Sequence, residues 1–131
     1  MKNILYAEDN PDDIFILKLA FRKADLPWTL HCVEDGNEAV DWLRGDGKFA
    51  DRITHPIPDL VILDLKMPRK SGFEVLQWMK ESAELKNLPV VVLSSSDDPK
   101  DVKRTTELGA ARHFRKTATS QELIDWLKTQ S

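Results

Sequence analysis

The chain has a single cysteine, Cys32, among 131 residues. That excludes an intrachain disulfide framework and any cysteine-rich zinc module, and it suits a reducing, intracellular setting. Long apolar runs are lacking too: none approaches the ~20 residues that a membrane-spanning helix needs. At the N-terminus one lysine precedes the short run Ile4 to Ala7, which Glu8 and Asp9 interrupt, so no secretory signal is expected. Neither sign of charge dominates. Nineteen basic and 22 acidic residues are scattered along the chain and leave a net charge of −3. Such a balance offers no electrostatic footprint for nucleic acid and disfavours anionic membranes. The expectation is a soluble cytoplasmic domain that binds neither. A chain of this length can bury roughly two-thirds of its unfolded surface without staples, so one domain is expected across residues 1–131.

What is present is an alternation of short apolar runs with longer amphipathic segments. Asn3 to Ala7 is β-prone and stops at Glu8-Asp9-Asn10-Pro11. From Asp12 to Ala24 the residues Phe15 and Leu19, and the set Ile14, Leu17 and Phe21, recur at helical spacings. Trp28 to Val33 alternates as a second strand, and Gly36 to Leu43 predicts a short helix with Ala39, Val40 and Leu43 inward. Residues 44–58 hold two glycines, two prolines and mixed charge, the composition of a surface loop. The runs Leu60-Val61-Ile62-Leu63 and Val90-Val91-Val92-Leu93 have no polar alternation. Strands buried on both faces of a parallel sheet look like that. Helices are predicted over 73–80, 98–108 and 120–128, with a weak strand over 112–115. Five strands alternating with five helices give an α/β fold, a parallel sheet joined by right-handed crossovers.

In open parallel sheets ligands bind beyond the carboxyl ends of the strands, so the residues that follow each apolar run matter most. Glu8 and Asp9 follow the first, with Asp12 and Asp13 close behind. Asp64 follows the third, Ser94, Ser95 and Ser96 the fourth, and Lys116 the fifth. Taken singly, each is as well explained as a loop or cap residue, and Asp12 could cap the first helix. Their order at successive strand ends is not. Three carboxylates brought together repel unless a cation lies among them, and hard oxygen ligands suit Mg²⁺. A carboxylate can attack a phosphoryl donor, and a metal, a lysine and hydroxyl donors can offset the charge that develops. Asp64 is the candidate nucleophile because it ends a fully apolar strand.

With these residues in place, the sequence resembles the receiver domain of two-component response regulators over nearly its whole length. Glu8-Asp9 matches the acidic metal-binding pair, and Asp64-Leu65-Lys66-Met67-Pro68-Arg69-Lys70-Ser71-Gly72 fits the pattern Asp-x-x-Met-Pro-x-x-x-Gly around the phosphoacceptor. Ser94 falls where the family has Thr or Ser, and Gly109-Ala110 followed by Lys116 fits its last motif. The resemblance implies a doubly wound, flavodoxin-like three-layer sandwich with strand order 2-1-3-4-5. It implies that Asp64 accepts a phosphoryl group from a phosphohistidine on a partner sensor histidine kinase. Glu8, Asp9, Asp64 and the backbone carbonyl of Lys66 would hold Mg²⁺, Lys116 would pair with the phosphoryl oxygens, and Ser94 would move toward them. Lys66 and Ser96 occupy positions that modulate the lifetime of the acyl phosphate. The domain would be a phosphoacceptor rather than a turnover enzyme, a stand-alone receiver without an output domain, signalling through protein–protein contacts. The loop from Arg44 to Pro58 is similar to that of regulators paired with phytochrome-type kinases, and family analogy makes the fourth helix, fifth strand and fifth helix a homodimer or output surface.

Two positions depart from the pattern. The aromatic switch position three before the lysine holds His113, which either toggles between inward and outward rotamers, with an added pH dependence, or plays no switching part. Thr117 stands where the family has a proline that forms a cis bond, which puts the placement of Lys116 in doubt. Two rival functions stay open: a pseudo-receiver that binds partners without taking phosphate, and a Mg²⁺-dependent aspartyl phosphohydrolase, which the absence of a cap domain disfavours. Trp42 and Trp126 are expected to be partly exposed, as half-buried packing or as partner contacts. Lys100, Lys103 and Arg104 read as a solvated face, and His31, His55 and Cys32 lack metal-ligand spacing.

Overall fold

A computed structural model describes residues 2–96 and 98–130. Strand and helix alternate throughout: β1 (Lys2–Ala7), α1 (Pro11–Ala24), β2 (Trp28–Val33), α2 (Gly36–Arg44), β3 (Leu60–Leu63), α3 (Gly72–Glu81), β4 (Val90–Ser94), α4 (Pro99–Glu107), β5 (Arg112–Arg115) and α5 (Gln121–Lys128). These bounds lie within one or two residues of those expected. The strands form one parallel sheet in the order β2-β1-β3-β4-β5, the doubly wound arrangement that the resemblance implied.

Alternation of side chains along each strand sorts the core into two layers. Ile4 and Tyr6 of β1, Ile62 of β3 and Leu93 of β4 face Leu17 and Phe21 of α1 and Leu123 and Leu127 of α5. Leu5, Ala7, Leu63 and Val92 face the other way, toward Val40 and Leu43 of α2 and Val75, Leu76 and Met79 of α3. Both faces of β3 and β4 are therefore covered, which is why those runs show no polar alternation.

Two local readings need correction, those of Asp12 and of Trp42. The first helix is capped by Asn10, whose side chain accepts from the Asp12 backbone N–H, and Pro11 opens the first turn; Asp12 is not the cap. Phe15 shares the helical spacing of the core residues but points outward, 65% exposed. Trp42 is not partly exposed but buried at 5%, because the 44–58 loop folds back over it. That loop contains a 3-10 turn, Gly47–Phe49, and the rings of Phe49, His55 and His31 all lie about 5 Å from that of Trp42. Lys100, Lys103 and Arg104 are exposed, as expected, and the Arg104 guanidinium lies 4.1 Å from the centre of the Phe73 ring.

Candidate functional site

The parallel ladders run one residue past the strands and place two carboxylates at the carboxyl edge of the sheet. The Glu8 N–H donates to the Val33 carbonyl at 3.0 Å and the Asp64 N–H to that of Ala7 at 3.1 Å. Glu8 is fully buried and Asp64 is 5% exposed, while Asp9 beside them is open to solvent. One oxygen from each of Glu8, Asp9 and Asp64 falls within a group whose members lie within 4.8 Å of one another. Oxygen donors alone, at this spacing and with one member exposed, fit a hard divalent cation that keeps some of its water.

Lys116 enters the same cluster from β5. Its backbone N–H donates to the Ser94 carbonyl at 2.8 Å. Its ammonium lies 2.6 Å from Glu8 Oε1, 2.8 Å from Asp13 Oδ2 and 3.3 Å from Asp64 Oδ2. The Lys116–Thr117 peptide is trans, and the lysine reaches the site all the same. Where a proline was expected, the Thr117 hydroxyl accepts from the Ser120 N–H at 3.0 Å, and Ser120 takes a left-handed φ of 52° to start α5. A hydrogen-bonded turn thus shapes this loop.

Several contacts around the site were not foreseen from the sequence. Asp13 stood beside the acidic pair, but its contact with Lys116 spans 103 positions. The Tyr6 hydroxyl donates to Glu8 Oε1 at 3.2 Å, and the Asn10 N–H donates to Glu8 Oε2 at the same distance. An apolar strand residue gave no hint of the first contact. Asp35, buried under the loop after β3, pairs with Arg69 at 2.6 Å.

The electrostatics follow from this packing. Burial first, and the neighbouring Asp64 charge, push the Glu8 carboxyl up to about 7 against the opposing hydrogen bond from Lys116. Burial works against the charge on Lys116, yet its hydrogen bonds to Asp13 and Glu8 and the charge of Asp64 outweigh it and hold the ammonium protonated more firmly than usual. Burial, then the Glu8 charge, drive the Tyr6 phenol up. One ammonium meets three carboxylates, with Asp9 beside them, so the cluster keeps an excess of negative charge.

On the neighbouring strands, Ser94 is buried at the end of β4 and its hydroxyl accepts from the Ser96 N–H at 3.1 Å. The Ser96 hydroxyl donates to Asp101 Oδ2 at 2.8 Å. His113 is half-buried and turned inward, with Nε2 3.0 Å from the Ser96 carbonyl and Nδ1 3.3 Å from the Thr105 hydroxyl. It links β5 to α4 and to the loop that follows Ser94. Lys66 is exposed in the loop directly after Asp64.

Comparison with known proteins bears on the whole chain. The family profile described as response regulator receiver domain matches residues 4–128. Response regulator Rcp1 of Synechocystis sp. is 31% identical over 136 residues, covering 98% of this chain and 90% of that one. The crystal structure of its Mn²⁺-bound form superposes with a TM-score of 0.84 at 30% identity, over 98% of this chain and 91% of that one. A phosphorylated cyanobacterial phytochrome response regulator, RcpA, superposes with a TM-score of 0.84 at 36% identity, over 98% of this chain and 90% of that one.

Proposed function

The chain belongs to the response regulator receiver domain family, and from that premise we propose that it signals by accepting a phosphoryl group on Asp64. The observation that carries this reading is the meeting of Asp64 with Lys116, Glu8 and Asp9 at the carboxyl edge of the sheet. The donor is a phosphohistidine on a partner sensor histidine kinase. The P–N bond to histidine breaks as a P–O bond to an Asp64 carboxylate oxygen forms, with the electron pair returning to the imidazole. Glu8, Asp9, Asp64 and the Lys66 carbonyl hold Mg²⁺, which supplies charge neutralisation for the phosphoryl oxygens when bound.

The protein's own residues do the rest. The inner oxygen of Asp64 already accepts from the Leu65 N–H at 2.8 Å, which fixes the carboxylate plane. Lys116 lies close enough to turn from Glu8 and Asp13 to a phosphoryl oxygen. Ser94, released from the Ser96 N–H, moves toward the same group and shifts an existing equilibrium of the α4 face, with His113 following. Output passes through protein partners, and a second copy of the chain meets α4, β5 and α5. The relatives named for phytochromes support a phytochrome-type kinase as the donor, and the absence of any helix long and apolar enough to cross a membrane, among the described residues, is consistent with a cytoplasmic site of action.

Intact-protein mass after incubation with acetyl phosphate tests the reading. One added phosphoryl group is expected with Mg²⁺, none without it and none in Asp64→Asn. No gain in the unaltered chain under either condition would overturn the proposal in favour of a pseudo-receiver.

A further inference from the structure

The loop after Asp64 contains a strained turn with a tether of its own. Arg69 sits at φ 65°, a left-handed conformation that residues other than glycine seldom adopt. The Lys70 N–H donates across it to the Pro68 carbonyl at 2.8 Å, the hydrogen bond of a γ-turn, whose positive-φ form is rare and strained. Something outside the turn must hold it. The Arg69 guanidinium lies 2.6 Å from Asp35 Oδ2. The other Asp35 oxygen accepts from the Glu38 N–H at 2.8 Å and caps α2, so Asp35 is fixed to a helix before Arg69 reaches it. The arginine is 65% exposed at its side chain, against 7% for Asp35.

The surrounding backbone is as closely set. A Cβ on Gly36 would collide with the Lys70 carbonyl, and one on Gly72 with the Asp64 carbonyl. The Gly72 N–H also donates to the Leu65 carbonyl at 3.0 Å. Residues 65–72 are thus closed at the α3 end by backbone contact and on the α2 side by the Asp35–Arg69 pair. Lys66 lies between these points.

We propose that Asp35 and Arg69 are positioning residues for divalent-cation binding: their ion pair holds the strained turn and, through it, aims the Lys66 carbonyl at the acidic cluster. The inference rests on the phosphoacceptor reading above, since that reading makes the Lys66 carbonyl a ligand. Neither residue touches the cation. Each acts on it through the loop, as outer-shell partners do.

The test is Mn²⁺ binding to the full chain, read from the paramagnetic resonance signal of the free ion, beside the thermal midpoint. Arg69→Gly loses the ion pair but suits the turn. Its midpoint should hold or rise while its Mn²⁺ affinity falls about tenfold, the lower end of the range for outer-shell partners. Asp35→Asn keeps an oxygen for the Glu38 N–H and should weaken Mn²⁺ to a similar extent. The double variant should bind no more weakly than either single one, because both remove the same interaction. Variants that bind within about twofold of the unaltered chain, or a double variant that loses the product of the single losses, would overturn the inference and leave the phosphoacceptor reading standing. An unaltered chain that bound no Mn²⁺ would overturn both.

Discussion

Two cations anchor opposite ends of this molecule, and their partners differ in kind. Arg52, in the loop between α2 and β3, donates to the carbonyls of Trp42, Leu43 and His55 at 2.7 to 3.1 Å. Two of these are last-turn carbonyls of α2, groups that a helix leaves without internal partners. The acceptors are neutral and within ten residues in sequence, so the arrangement is closed. Lys116, at the other end of the sheet, meets carboxylates supplied by β1, α1 and β3. Their charges exceed its own, and they lie up to 108 positions away in the chain. One cation completes a structure, while the other leaves a site able to take a second cation.

Removing each cation should separate these roles most sharply. Lys116→Ala leaves Glu8, Asp13 and Asp64 facing one another, and near pH 8 a urea titration should show a loss of about 3–5 kcal/mol, the usual cost of breaking a buried pair. Saturating Mn²⁺ should restore part of it, because binding to the folded state alone stabilises that state. A Lys116→Ala chain as stable as the parent would show that the acidic cluster relaxes without a cation. Arg52→Ala should cost about 2–3 kcal/mol through its lost charge-assisted hydrogen bonds, and Mn²⁺ should add to it only what it adds to the parent. Any larger rescue would mean that the two ends are coupled.

A smaller effect concerns pH. Glu8 in the folded chain has its carboxyl raised from an ordinary value of 4.5 to about 7. The metal-free fold therefore holds the proton more tightly than the unfolded chain, and the corresponding stability is present below the unfolded value and lost as pH rises toward 7. Cation binding has the opposite sign, since the carboxylate must be ionised to act as a ligand. Apparent Mn²⁺ affinity should rise by up to about tenfold per pH unit until Glu8 is ionised and level off above about pH 7. A flat profile between pH 6 and 8 would mean that Glu8 is either not a ligand or already ionised below pH 6. The smallest effect should come from Trp42→Phe, which keeps a ring in the loop cluster but loses the donor to the Pro56 carbonyl at 2.9 Å. It should cost about 1 kcal/mol in the same titration and leave Mn²⁺ affinity unchanged.

The two ends also differ in how far they could be read from the chain. Glu8, Asp9, Asp64, Ser94 and Lys116 each end or follow a strand legible in the sequence, and in a parallel sheet such positions gather at one edge, so their meeting was legible. Asp13 was visible and its partner was not, because an α1 residue facing the strand ends and one facing solvent differ by a fraction of a turn. The same ambiguity hid the outward position of Phe15. Trp42 was read as partly exposed because its sequence neighbours are polar, while its cover comes from Phe49 and His55 in a loop whose composition signals only a turn. Asp35 and Arg69 are 34 positions apart, and neither stands at a spacing that suggests the other.

Sequence by itself determined the alternation of elements, the burial of β3 and β4 on both faces and the residues delivered to the carboxyl edge, because hydrophobic periodicity and chain order are local properties. Tertiary structure alone decided that Lys116 reaches Glu8 and Asp13 without a cis peptide, that His113 turns inward to Ser96 and Thr105, and that Asp35 tethers Arg69. Those outcomes depend on distances of a few ångströms between segments far apart in the chain, set only once both layers of helices had packed against the sheet.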